Sequence, residues 1–119
     1  MAVRSYQDLV VWQKSMDLVE SVYRVTRAFP REELYGLTNQ VRRAAVSVPS
    51  NVAEGQGRGI GREFAHHLRI GNGSRQELET QLMIAERLSY IDAPTVDGLL
   101  IASAEVGRLL SGLLKSVTR

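Results

Sequence analysis

The side chains best equipped for chemistry in this sequence are its arginines. Thirteen of the fifteen basic residues are arginine, whose planar guanidinium suits forked contacts with phosphate or carboxylate. Their placement is uneven. Between residues 42 and 75 stand Arg42, Arg43, Arg58, Arg62, Arg69 and Arg75 against only Glu54 and Glu63, a local charge of +4 in a chain whose net charge is +2. Arg62, His66, Arg69, Gly73 and Gln76 follow one another at spacings of 4, 3, 4 and 3, which sets them on one face of a helix. Such a stripe can track phosphates, each neutralised contact steepening the salt dependence of binding. The same stripe is equally the solvated side of an amphipathic helix. Arg42, Arg43, Arg58, Arg62 and Arg69 are the candidate nucleic-acid-binding residues.

Other chemistries find little support. With no cysteine, disulfides, thiolate catalysis and thiolate metal sites are excluded. Glu63-x-x-His66 resembles half of a di-iron motif, but such a site needs two copies and two further inward carboxylates. His66 and His67 are the only histidines, and neighbours on a helix point about 100° apart. No serine or lysine has a companion base placed by local spacing. Gly55, Gly57, Gly59 and Gly61 miss the dinucleotide fingerprint, because Ile60 stands where a glycine is required, and no phosphate-loop lysine follows. Asn72-Gly-Ser74 matches a glycosylation acceptor only by chance, in mid-helix. We expect no enzyme activity, no metal and no cofactor. Trp12, Tyr23, Tyr35 and Tyr90 are able to stack on bases, yet Trp12 and Tyr23 fall on an apolar row and read as core.

The elements that must position these residues are helical throughout. A chain of 119 residues fits one domain, residues 1–119. Apolar residues make up 44% and charged residues 24%, ordinary for a globular protein. The first segment, about Gln7 to Ala28, opens on Ser5 and Asp8 as a capping pair. Leu9, Trp12, Met16, Val19, Tyr23 and Thr26 make one apolar row, with Leu18, Val22, Val25 and Phe29 beside it. Two rows imply a helix with two neighbours. Pro30 stops it, and the link to Gly36 has room for one helical turn.

The second segment, about Leu37 to Gly55, shows Leu37, Val41, Ala44, Val48 and Val52 on one face. Arg43, Ser47, Ser50, Asn51 and Glu54 form a polar ridge, with Glu54 placed to pair with Arg58. Pro49 removes a hydrogen bond inside this pattern, but the apolar period runs through it, so a kinked, continuous helix is expected. The alternating glycines from 55 to 61 read as a turn. The third segment, about Arg62 to Tyr90, carries Phe64, Leu68, Gly71, Arg75, Leu78, Leu82 and Ala85 on a heptad seam, and Ile70, Ile84 and Leu88 on a second row. Gly71, Gly73 and Ser74 predict a close approach of another backbone. Asp92 and Pro94 open the fourth segment, about Val96 to Val117, with Leu99, Val106, Leu110, Leu113 and Val117 on one side. The expected fold is an all-α, antiparallel up-down-up-down four-helix bundle.

Four strings carry a resemblance: Leu9-Val-Val-Trp-Gln-Lys14, Glu33-Leu-Tyr-Gly-Leu-Thr38, Val41-Arg-Arg-Ala-Ala-Val-Ser-Val-Pro-Ser-Asn-Val-Ala-Glu-Gly55 and Glu77-Leu-Glu-Thr-Gln-Leu82. With them the chain resembles, over nearly its whole length, the four-helix-bundle family encoded in intervening sequences of bacterial 23S rRNA genes. That family is similar in fold to the basic accessory protein of diversity-generating retroelements. The resemblance implies a non-enzymatic homo-oligomer, a ring-forming pentamer, associated with RNA or DNA and with a possible protein partner. His67, Asn72 and Arg75 depart from the bulky apolar residues that relatives tend to carry on the third helix. Arg75 lies on the seam itself, where an unpaired charge costs several kcal/mol, so it must find a carboxylate or reach solvent at a subunit boundary. No leader opens the chain and no apolar run nears the roughly 20 residues that cross a bilayer. The expected location is the cytoplasm, with no membrane partner.

Overall fold

The computed structural model describes residues 5–59 and 61–118, and all regular structure within them is helical. A 3-10 turn at Tyr6–Asp8 leads into α1, Val10–Thr26. A second 3-10 turn at Arg31–Glu33 precedes α2, Leu37–Gly57, and then come α3, Arg62–Arg87, and α4, Ala93–Val117. Each helix packs on its two neighbours in the cycle α1-α2-α3-α4, and the diagonal pairs do not meet. Residues 58–61 and 88–92 are too short to run back along helices of this length, so successive helices are antiparallel. Thr26 at the end of α1 lies beside Arg42 near the start of α2, and Lys14 on α1 pairs with Glu105 on α4.

The core runs down the centre of the cycle. Leu18 and Val22 of α1, Val41, Val48 and Val52 of α2, Leu68, Leu78 and Leu82 of α3, and Val106 and Leu110 of α4 are all buried. Each such side chain contributes on the order of 1.5–3 kcal/mol from burial. α1 turns a different stripe inward from the one its largest residues suggest. Val11, Ser15, Leu18, Val22 and Thr26 are buried, whereas Met16 is 42% and Tyr23 39% exposed, and Trp12 is half-buried. Ser15 and Thr26 take core positions because each hydroxyl donates to a carbonyl of its own helix, Val11 O at 2.6 Å and Val22 O at 2.8 Å. The expected second row of α3 is also corrected: Ile70, Ile84 and Leu88 are exposed.

α2 is continuous through Pro49, which is buried, because tertiary packing of Val48 and Val52 outweighs the hydrogen bond that proline removes. The helix also persists two residues beyond the expected end, to Gly57. Gly59 and Gly61, at φ of +101° and +84°, then make the reversal into α3. At Gly55 α2 and α3 approach tightly: a Cβ there would stand 2.8 Å from His67 Cβ and 3.3 Å from the Phe64 carbonyl oxygen. Gly71 backs onto the Val48 carbonyl more loosely, at 3.6 Å from a notional Cβ, and Gly73 faces open space. The close approach expected at 71 is present against the Val48 carbonyl, the one expected at 73 is not, and a tighter one lies at 55.

Helix ends are satisfied locally. Glu33 Oε1 accepts from the Leu37 N–H at 3.0 Å, and Oε2 accepts from the Tyr90 hydroxyl at 2.8 Å, tying the start of α2 to the end of α3. The Leu37 N–H and then Tyr90 hold the Glu33 carboxyl below its ordinary 4.5. The same contact, followed by burial, raises Tyr90 above 10.0. Asp92 caps α4 by accepting from the Thr95 N–H at 2.9 Å, which lowers its own pKa. α3 closes with the Tyr90 N–H on Ala85 O and the Ser89 N–H on Glu86 O, both at 2.9 Å, the Schellman arrangement, with Ser89 at φ 63°.

These contacts fix two outcomes. Gly55→Ala, measured by urea unfolding, loses about 1–2 kcal/mol as overpacking outweighs the gain in helix propensity, while Gly73→Ala gains up to about 1 kcal/mol. Glu33 and Asp92 have depressed pKa values, so the stability they give is present above their ordinary values and lost as pH falls through the folded ones. Thermal scans of Glu33→Gln and the parent should show a flatter fall below pH 4.5 for the variant. Tyr90 runs the other way, its share persisting below 10.0 and vanishing as pH climbs through the raised value.

Candidate nucleic-acid interface

Because α3 turns Phe64, Leu68, Leu78 and Leu82 inward, the residues half a turn away must face out. Arg62, His66, Arg69, Gly73 and Gln76 are all exposed, a single outward stripe as their spacing requires. Neither Arg62 nor Arg69 forms an ion pair among the described residues. The stripe continues through Thr80 and the exposed Met83 to Arg87, and beside it Ile70, Ile84 and Leu88 are each more than 40% exposed.

The other candidate arginines are divided. Arg58 stands at the α2–α3 turn and pairs with Glu54 at 3.4 Å, as the four-residue spacing foretells, but both side chains are half exposed, so the pair is worth little. Arg43 is exposed on α2. Arg42 is half-buried and largely committed: Nε donates to Thr26 Oγ1 at 2.8 Å, Nη2 reaches Tyr23 O at 3.5 Å, and Cζ lies 4.5 Å above the Tyr23 ring. It therefore ties α2 to the end of α1. Arg42 and Arg43 nevertheless border one hollow of about 560 Å³, with Tyr23, Tyr35 and Asn39.

The three polar departures on α3 are all accommodated. Arg75 Nη1 donates to Glu79 Oε2 at 2.7 Å and to Ser103 Oγ at 3.3 Å, while Nε donates to Asn72 Oδ1 at 3.0 Å. Ser103 Oγ in turn donates to Glu79 at 2.6 Å. A Cβ at Gly107 would lie 2.7 Å from Arg75 Cζ, so glycine on α4 leaves space for the guanidinium. Arg75 thus finds its carboxylate within its own chain and needs no subunit boundary to neutralise it. His67 Nδ1 meets Asn51 Oδ1 at 3.1 Å, and Asn51 Nδ2 donates to Ser47 O at 2.8 Å. Asn51 presents its oxygen to the ring, so Nδ1 carries the proton. Ser47 and Ser74 close the row at 2.8 Å. Ser47 and Asn51 of the α2 polar ridge thus join α2 to α3, while Arg43, Ser50 and Glu54 are exposed.

Spacing did not reveal the exposed aromatics. Tyr23 is 39% exposed, so the expectation of core fails for it, and Tyr35 is 91% exposed. Trp12 packs edge-on against Tyr6 at 5.4 Å and Tyr90 against Phe29 at 5.5 Å. The signal for Tyr35 was its place after Pro30, in a link too short to reach the core. His66 and His67 rings stand 5.7 Å apart at a steep angle, and no group of three metal-ligating side chains converges among the described residues. No described helix is long and apolar enough to cross a membrane.

Comparison with known proteins agrees with this architecture. The crystal structure of a protein of unknown function from the S23 ribosomal protein family of Bacteroides thetaiotaomicron superposes with a TM-score of 0.82, at 22% identity over 89% of this chain and 96% of that one. No match was found among curated proteins. The model of the 23S rRNA-intervening sequence proteins matches residues 7–112, nearly the whole bundle. The chain belongs to the 23S rRNA-intervening sequence protein family.

Proposed function

We propose that this protein is a non-catalytic, self-associating helical bundle that binds RNA or DNA through the outer face of α3, acting in the cytoplasm. The observation that carries the reading is Arg62 and Arg69, exposed on one face with no carboxylate paired to either among the described residues. Arg43 and Arg58 extend the basic surface across α2 and the turn. The two α3 arginines are seven residues, roughly 10 Å, apart along the axis, a span that phosphates of one strand can bridge. Repetition around a homo-oligomer, a pentamer by the family resemblance, would multiply weak contacts into useful avidity. Self-association is supported by the apolar surface left uncovered: Val10, Met16, Leu34, Val46, Ile84 and Ile101 are all well exposed.

A second reading, an adaptor for another protein with no nucleic-acid role, is favoured by one feature. Ile70, Ile84 and, just past the helix end, Leu88 lie beside the basic stripe, with Met83 on it, and exposed apolar residues in a group mark protein contacts.

Charge reversal separates the two. Arg62→Glu with Arg69→Glu should leave helicity and the mass by light scattering unchanged, because both side chains face solvent. Anisotropy titration with RNA at about 100 mM salt should show affinity collapsing, and the log-affinity against log-salt slope flattening by about 1.4 for two lost single-strand contacts. Unchanged RNA affinity would make the stripe a solvated face and leave the adaptor reading standing. A monomer mass for the parent at tens of micromolar would remove the oligomer.

A further inference from the structure

We infer that the hollow between the end of α1 and the start of α2 takes one nucleotide of a single-stranded nucleic acid, its base stacked on Tyr35 and its phosphate held by Arg43. This rests on the nucleic-acid reading above and names the form of nucleic acid that the protein prefers. The hollow measures about 560 Å³, within the range of small-ligand sites. Its wall carries Tyr23, Tyr35, Thr38, Asn39, Arg42 and Arg43, and no acid lines it. The nearest acid in sequence, Glu33, is not among its lining residues and accepts from the Leu37 N–H and the Tyr90 hydroxyl.

Two features point to a ligand with both an aromatic face and negative charge. Tyr35 is 91% exposed at the rim, a ring with no partner of its own and both faces free to stack. Arg42 is pinned over the Tyr23 ring at 4.5 Å with guanidinium N–H groups to spare, and Arg43 beside it makes no ion pair among the described residues. An aromatic platform beside basic side chains is how proteins hold unpaired bases, because every base has a stacking face whatever its sequence. Paired bases are already stacked on each other, so a duplex has nothing to offer Tyr35. Arg43 also borders a smaller hollow of about 350 Å³ that Glu77 lines.

Anisotropy titrations of labelled oligo(U) and of a duplex of equal length test this, with the parent, Tyr35→Ala, Tyr35→Phe and Arg43→Gln. Tyr35→Ala should weaken oligo(U) binding about five- to a hundred-fold, Tyr35→Phe should stay within about twofold, and duplex affinity should not move. Arg43→Gln should weaken oligo(U) binding and flatten its salt slope by about 0.7. If Tyr35→Ala and Arg43→Gln bind oligo(U) as the parent does, while the Arg62→Glu/Arg69→Glu protein does not, the hollow is no site although the nucleic-acid reading survives. A lower oligomer mass for Tyr35→Ala would make the residue a subunit contact and overturn the inference. A parent that binds neither strand nor duplex overturns both.

Discussion

The rest of the structure depends on how closely α2 and α3 run against each other. A Cβ at Gly55 would be 2.8 Å from His67 Cβ, so only glycine admits the approach. Once the backbones are that near, polar groups on both helices are within reach and must be paired, since a buried polar group without a partner costs free energy. Ser47 meets Ser74, and Asn51 bridges Ser47 to His67. These contacts fix register along the seam as apolar side chains alone do not, because methyl groups slide past each other and hydrogen bonds do not. With α3 held in one rotation by that seam, Arg62 and Arg69 have no choice but to face solvent.

The same logic governs the opposite flank of α3. Arg75 sits on a seam that ought to be apolar, and the chain meets it with Glu79 one turn on, Ser103 across on α4 and a glycine at 107. Removing a single member leaves a half-buried charge unmatched. Both flanks therefore join helices through polar groups, leaving valine and leucine to fill the centre.

Much of this was legible in the sequence. Helix number, the continuity of α2 through Pro49, the Glu54–Arg58 pair and the outward stripe of α3 all follow from period and spacing. What escaped was rotation. On α1 the row holding Trp12, Met16, Tyr23 and Thr26 was expected to face the core, yet Met16 and Tyr23 are exposed while Thr26 is buried, and Ser15, outside both expected rows, faces inward. The Ser15 and Thr26 hydroxyls bond within the helix, so burial costs them little, and small side chains let α1 pack closely. Ile70, Ile84 and Leu88 misled in the same way, for an apolar row shows hydrophobicity but not which neighbour covers it. Partners distant in sequence were also out of reach: spacing predicted neither Glu33 with Tyr90 nor Arg42 with Thr26. The candidate site was half readable, its charges visible as a cluster and the exposure of Tyr23 hidden by its place on an apolar row.

Membership of the 23S rRNA-intervening sequence family and a shared bundle fold bring no assigned activity with them, so the surface itself must supply the function. Basic charge on the outer face of α3 and an aromatic, acid-free hollow at the α1–α2 end are two independent features suited to one kind of partner. Ultraviolet crosslinking of the full chain to single-stranded RNA, with the linked peptides mapped by mass spectrometry, tests that joint assignment most directly. The account predicts linked residues in the peptides bearing Tyr35 and in those around Arg62 to Arg69, with α4 clear. Crosslinks confined to α4, or none above those of an unrelated bundle of equal charge, would contradict it.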